Sequence, residues 1–251
     1  MSGHSKWANI KHKKAAADAK KGKIFSKLAK EIMIVAKSGG GDASANPSLR
    51  MLIQKARAVN MPADNIDRAI KKGTGELQAA ALEEVMYEGY ASGGVALIVQ
   101  VLTDNKNRSA AEVRHLFTRN GANLATQGSV LRTFKRKGHI LIAATAAAED
   151  RLMEVALEAG AEDLRREDDA FVVIAEPASY VAVMDALAKA GIATESSEIT
   201  MLPEVYVPIA DKAQASSLMR FVDALEDLED VQNVYTNMDI DEAVLAEAVK
   251  E

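Results

Sequence analysis

The sequence predicts an α+β protein, with an all-helical N-terminal part followed by units that alternate strand and helix. Two observations carry this. Apolar residues recur at helical spacing through residue 76, and strand-like runs alternate with helical ones beyond it. Between residues 139 and 201 the predicted order is β-α-β-β-α-β, the ferredoxin-like signature. A length of 251 residues accommodates two or three domains. Apolar residues make up 48% of the chain and aromatics only 4%, so the cores must be built from Ala, Val, Ile, Leu and Met.

The first predicted helix carries Lys13, Lys14, Lys20 and Lys21 within about a third of its circumference, with Ala15, Ala16 and Ala19 opposite. Gly22 is expected to interrupt it. A second helix has the apolar stripe Phe25, Leu28, Ile32, Val35 and ends at Ser38-Gly39-Gly40-Gly41. Asn46-Pro47 reads as an N-cap followed by proline at the first helical position. Leu49, Leu52, Ile53 and Ala56 carry that helix. Pro62 starts another, with Ile66 and Ile70 inward and Gly73 expected just past its end.

Val85–Tyr90 and Val95–Leu102 flank Ser92-Gly93-Gly94 and read as a hairpin. Ser109 and Glu112 have capping-box spacing ahead of Val113, Leu116 and Phe117. Val130–Lys135 and His139–Ala143 flank Arg136-Lys137-Gly138, which reads as a second hairpin-like turn. The ferredoxin-like order then runs as strand 139–143, helix 148–160, strands 162–167 and 171–175, helix 178–190 and strand 193–201. Strand 204–209, helix 211–227 and strand 231–236 remain. They lack a sheet of their own and are candidates to complete the one begun at 85–102, which would make the ferredoxin-like unit an insertion.

Charge is distributed unevenly. The net charge is −5, yet residues 1–72 carry +11 and residues 73–251 carry −16. Ten lysines and no arginine precede Arg50. Lysine suits contact with phosphate backbone better than bidentate base reading, so recognition of shape or backbone is expected rather than a strict base sequence. The candidate nucleic-acid contacts are Lys6, Trp7, Lys11, Lys13, Lys14, Lys20, Lys21, Lys23 and Lys27. Trp7 suits either base stacking or anchoring of the N-terminal tail. A secondary cluster is Arg132, Lys135, Arg136 and Lys137 around Phe134. It suits either a β-ribbon presented to a groove or a solvated turn. The stretch Thr103-Asp104-Asn105-Lys106-Asn107-Arg108 is a third polar candidate, with loop and cap chemistry as its other reading.

Other chemistries find little support. There is no cysteine, which removes disulfides, thiolate metal sites and cysteine nucleophiles. Nucleophile-elbow, P-loop and dinucleotide-binding glycine patterns are missing. His4, His12, His115 and His139 do not share metal-ligand spacing, so no metal or other cofactor is expected. No catalytic residue is nominated. MSGHSKW has no apolar run behind its charges, and no window suffices to span a bilayer, so a cytoplasmic protein is expected.

Four strings carry a family resemblance. GHSKWANIKHKKAAADAKKGKIFSKLAKEI (3–32), NMPADNIDRAIKKGTGE (60–76), YEGYASGGVALIVQVLTDNKNRSAAEVRHLF (87–117) and GSVLRTFKRKG (128–138) resemble the YebC family, called probable transcriptional regulatory proteins in bacteria. The likeness covers the chain end to end and is strongest through Gly138. Two loops depart from it. Tyr90-Ala91-Ser92-Gly93-Gly94 lacks the usual Gly-Pro before the paired glycines, and Gly121-Ala122-Asn123-Leu124-Ala125 has alanines where glycines are usual.

The resemblance implies an N-terminal helical domain (1–76) plus two α/β ferredoxin-like domains. The last (135–203) is inserted into the middle one (77–134 and 204–251). It also implies a non-enzymatic, DNA-binding regulator. A mitochondrial relative acts as a translational activator and bacterial members are tied to ribosomes, so ribosomal RNA is the alternative target, with the ribosome as partner. A small-ligand sensor is the second alternative. Its distinguishing feature would be a polar pocket facing strands 139–143 and 193–201.

Overall fold

The computed structural model describes residues 21–167, 169–241 and 243–245. Helices α1 (Lys21–Gly39), α2 (Pro47–Ala58) and α3 (Ala63–Thr74) form the N-terminal unit. They close around Leu28, Ile32, Leu49, Ala56, Met61, Ile66 and Ala69. The Asn46 side chain accepts from the Leu49 N–H at 3.1 Å and donates to the carbonyls of Val35 and Gly40. One residue thus caps α2 and ties it to the end of α1.

Two helix boundaries differ from the sequence expectation. Helix α1 runs through Gly22 without interruption. Helix α3 continues through Gly73 and ends at Gly75, which adopts the left-handed conformation at φ 85°. Gly73 is required for contact instead. A Cβ there would lie 2.5 Å from the Met33 carbonyl oxygen and 2.8 Å from the Ala36 Cβ, so its absence lets α3 cross close against α1.

Strands β1 (Glu83–Tyr90) and β2 (Ala96–Thr103) form the expected antiparallel hairpin. Helix α4 (Lys106–Arg119) leads to the short β3 (Asn123–Leu124). Ser109 does not cap α4. The cap is Asn105, four residues earlier, whose side chain accepts from the Arg108 N–H at 3.1 Å. Ser109 lies inside the helix and is buried.

The chain next enters β4 (Phe134–Ala143), α5 (Glu149–Glu158), β5 (Ala161–Glu167), β6 (Ala170–Ala175), α6 (Tyr180–Lys189) and β7 (Ser196–Pro203). These strands pair antiparallel in the order β5-β6-β4-β7, with both helices packed over Ile140, Ile142, Phe171 and Val173 on one face. This is the ferredoxin-like arrangement. Phe134 pairs with Pro203, so the chain enters and leaves this sheet at one end.

Two short strands, β8 (Val207–Ile209) and β10 (Met238–Ile240), pair with each other in parallel. Between them in sequence lie α7 (Lys212–Glu226) and β9 (Val231–Thr236). Strand β9 pairs antiparallel with β2, completing the order β3-β1-β2-β9. Of the two late strands read as candidates for this sheet, only β9 joins it. Helices α4 and α7 share its inner face, where Phe117 meets Phe221 edge to face at 5.2 Å between ring centroids.

The predicted turn at Arg136-Lys137-Gly138 is not a turn. Strand β4 runs straight through it, and Leu131–Thr133 upstream is a short 3-10 turn rather than part of a strand. Gly138 pairs with Ala175 on one side and Ile199 on the other, and a Cβ there would run into the Tyr180 ring. The glycine serves close helix-on-sheet packing. Gly138→Ala should therefore destabilise the protein by about 1–3 kcal/mol through overpacking. A loss of that size in denaturant midpoint at constant slope checks it, and an unchanged midpoint would contradict the close packing.

Candidate nucleic-acid interface

Lys6, Trp7, Lys11, Lys13, Lys14 and Lys20 lie outside the described residues, and Lys21 opens helix α1. Lys23 and Lys27 follow on α1, and with Lys30 they occupy positions i, i+4 and i+7 of one helical face. All three lysines already have partners within the molecule. The Lys23 ammonium meets Asp227 Oδ1 at 2.9 Å and the Asp227 carbonyl at 3.3 Å. Lys27 donates to the Glu226 carbonyl at 3.0 Å and lies 3.5 Å from the Gln232 carbonyl. Lys30 donates to Asp230 Oδ1 at 2.9 Å and to the carbonyls of Glu229 and Leu102.

These acceptors cluster at the C-terminal end of α7. Helix dipoles favour cations there, yet α7 has no basic residue in its last turn, and Glu226, Asp227, Glu229 and Asp230 follow one another around its end. The lysines of α1 supply the cations that α7 lacks. A docking contact across 200 residues of sequence thus uses groups that the sequence assigned to nucleic acid. Lysine carries no information about which anion it meets, and this is why the sequence reading could not separate the two uses.

Asp230 anchors the contact. Its second oxygen accepts from Arg108 at 2.7 Å, Ser109 at 2.8 Å and Thr103 at 3.0 Å. Its side chain is only 6% exposed. Burial alone would raise its pKa. The hydrogen bonds from Arg108, Lys30 and Ser109 outweigh burial and hold the carboxyl well below the usual carboxylate range. The Thr103–Arg108 stretch therefore gains a structural role, with Asn105 capping α4 and Arg108 bridging Asp104 and Asp230. The sequence flagged this stretch but gave no sign of Asp230, its partner more than 120 residues away.

The secondary cluster is divided by the strand it lies on. Arg132 sits on the 3-10 turn and its Nε reaches the Ser129 carbonyl. Alternation along β4 sends Lys135 and Lys137 to one face of the sheet and Arg136 to the other. Lys137 is paired with Glu162 at 2.7 Å and with Glu176, which together raise its pKa. Lys135 lies 3.5 Å from Glu204. Arg136 faces the junction where burial, with Glu198 and Glu31 nearby, pushes the Tyr235 hydroxyl up. These four residues do not form one ribbon tip.

A buried carboxylate that the sequence reading missed, Glu88, shapes the loop leading to Arg132. It accepts from the N–H groups of Gly128 at 2.5 Å, Val130 at 2.7 Å and Leu131 at 2.8 Å. Burial pushes its pKa up, and these three bonds bring it below the ordinary value. A cleft of about 480 Å³ lies on the open face of the ferredoxin-like sheet. Lys137, His139, Glu198, Thr200 and Tyr206 are among its lining residues, over a floor that includes Val172 and Ile174. Among the described residues, no group of three or more His, Asp or Glu side chains is placed to hold a metal, and no helix is long and apolar enough to cross a membrane.

Comparison with known proteins matches both parts of this architecture. Residues 5–76 match the model of the TACO1/YebC protein N-terminal domain, and residues 82–238 match that of the TACO1/YebC second and third domain. The chain belongs to the TACO1/YebC family. A family member from Desulfatibacillum aliphaticivorans is 53% identical over 247 residues, covering 98% of this chain and 100% of the relative. Another, from Syntrophobacter fumaroxidans, is 52% identical over 245 residues and 98% of each chain. Both are called "Probable transcriptional regulatory protein". The crystal structure of a conserved hypothetical protein from Aquifex aeolicus is 44% identical and superposes with a TM-score of 0.80, covering 90% of this chain and 93% of the other.

Asp230→Ala should cost roughly 3 kcal/mol, because it removes a largely buried acceptor shared by Lys30, Arg108, Ser109 and Thr103. A folded pKa below the unfolded value near 4 gives a carboxylate whose stabilisation is complete above that value and fades as pH falls through the folded one. Thermal midpoints followed from pH about 5 downward should fall less steeply in Asp230→Asn than in the parent. Parallel slopes would show that Asp230 is not held as a low-pKa carboxylate.

Proposed function

We propose that this protein is a nucleic-acid-binding regulator of gene expression that grips its target through the lysine-rich segment from residue 4 to residue 30. The observation that carries this reading is the charge partition, +11 over residues 1–72 against −16 over the rest. A body with that much negative charge repels phosphate, so a polyanion must approach from the N-terminal side. The relatives' name supports a transcriptional role and a DNA target. A ribosomal RNA target is the alternative, because lysines without nearby arginine contact the backbone of either nucleic acid. No catalytic step is part of the proposal. Lys23 and Lys27 have intramolecular partners, so contact through them requires an exchange of partners. Lys6, Lys11, Lys13, Lys14, Lys20 and Lys21 complete the proposed set, with Trp7 to stack or to anchor.

A second reading rests on the cleft that Lys137, His139, Glu198 and Thr200 help to line. It faces the two strands on which a small-ligand sensor would be built, and its volume falls in the range of small-molecule sites. Under this reading the ferredoxin-like unit senses a metabolite and the N-terminal unit delivers the response. A thermal shift with one of a set of polar metabolites, lost in Thr200→Tyr, would support it. No shift across the set would leave nucleic-acid binding as the whole function.

Sedimentation of cell lysate with and without RNase separates the two targets. Ribosome co-migration lost on RNase treatment selects RNA, and its absence selects DNA. With either target, affinity should fall by roughly a thousandfold between 50 and 200 mM salt if about six phosphates are contacted. A flat salt response would overturn backbone recognition. Replacing Lys13, Lys14, Lys20 and Lys21 together by Glu should weaken binding far more than replacing Arg132, Lys135, Arg136 and Lys137. Titration of a labelled duplex or RNA against both variants checks this, and the reverse order would move the interface to the β4 region.

A further inference from the structure

We propose that the acidic end of α7 is an intramolecular stand-in for a phosphodiester backbone, and that nucleic acid releases the N-terminal helical unit by taking over Lys23 and Lys27 from it. This inference rests on the nucleic-acid reading above and adds the regulation of that same surface.

Three observations carry it. The first is chemical. Most of the groups holding Lys23, Lys27 and Lys30 are acceptor-only oxygens at a negative helix end, the Asp227 and Asp230 carboxylates and the carbonyls of Glu226, Asp227 and Glu229, joined by the strand carbonyls of Leu102 and Gln232. A run of phosphates offers lysine the same bonds with more charge. The second is the composition of the joint. Seven of the helical unit's buried apolar residues form a cluster of their own, and Met51 packs against the core of the ferredoxin-like unit. The ammonium contacts of this joint are open to competition by an anion, as an apolar contact would not be.

The third observation is a gradient of burial along the lysine row. At its outer end Lys23 and Asp227 are 52% and 59% exposed, whereas Lys30 and Asp230 at its inner end are 17% and 6% exposed. The outer pair is the one that solvent, salt and an arriving phosphate reach first. It also lies next to Lys20 and Lys21 in sequence, so a strand engaged by those residues extends toward Lys23. Exchange proceeds inward from Lys23 to Lys27. With both lost, Lys30 is the member of the row that still holds this acidic segment. The acidic segment 226–230 then faces the bound strand and repels it, which favours separation of the two units.

The chain lacks cysteine, so a label pair can be introduced cleanly. Ser26→Cys on the exposed side of α1 and Ser217→Cys on the exposed side of α7 report the separation by energy transfer. The probes are a mixed-sequence DNA duplex and a mixed-sequence RNA of the same length, each added to the full chain. The expected result is a longer label separation at saturating probe. When the labelled protein also carries Asp227→Asn and Glu229→Gln, the separation should already be longer without probe. Its affinity should rise roughly two- to tenfold, because less of the protein is in the occupied state. Binding with unchanged label separation would overturn this inference while leaving the nucleic-acid reading intact. Failure of the parent to bind either probe would overturn both. An affinity gain in the double variant without any change in separation would also overturn it, because neutralising two acids would then act only by removing repulsion.

Discussion

The carboxylate of Asp230 is the contact on which the arrangement of the units depends. One oxygen holds Lys30 of the first helix, and the other gathers Arg108, Ser109 and Thr103 where β2 passes into α4. Four donors from two distant segments converge on one side chain that is nearly excluded from water. Leaving any of them without its acceptor would cost more than the bond itself contributes, because a buried polar group pays its full desolvation penalty when unpaired. The network therefore acts as a register. It places α1 against the end of α7 and the start of α4 beside β9, so the sheet closes in one way.

The architecture solves a charge problem. The body is acidic and helix α7 ends in a negative cluster with no cation of its own. In isolation that end is unfavourable, since its acids and its own dipole add. The N-terminal unit carries the opposite excess, and its docked face neutralises the cluster. Under the proposed function, stability and polyanion binding would draw on the same ammonium groups and be coupled by mass action. Whatever binds the lysines more strongly than α7 does must loosen the joint.

The ferredoxin-like unit stands apart from this coupling. It is bounded by the pairing of Phe134 with Pro203, has its own core, and keeps its basic residues busy locally, with Lys137 held between Glu162 and Glu176. Its open sheet face carries the cleft, which no part of the lysine row borders. At the junction of Glu198, Tyr235 and Glu31, one group from each unit lies within electrostatic range of the others.

Local chemistry was legible in the sequence. The Phe25–Val35 stripe, the Asn46-Pro47 cap, the hairpin at Ser92–Gly94 and the β-α-β-β-α-β order all rest on spacing within one or two elements, and all four appear in the structure. The charge partition was also legible, because it is a sum. What tertiary structure decided were the roles of single residues whose partners lie far along the chain. By local spacing Gly138 reads as a turn residue, but the Tyr180 ring packs against it, and Gly73 reads as a helix stop, but α1 packs against it. Lys23 and Lys27 looked like free cations, but the end of α7 holds them from 200 residues away. A glycine or a lysine permits several uses, and only the packed fold selects one, because the selecting atom belongs to a distant element that local periodicity does not encode.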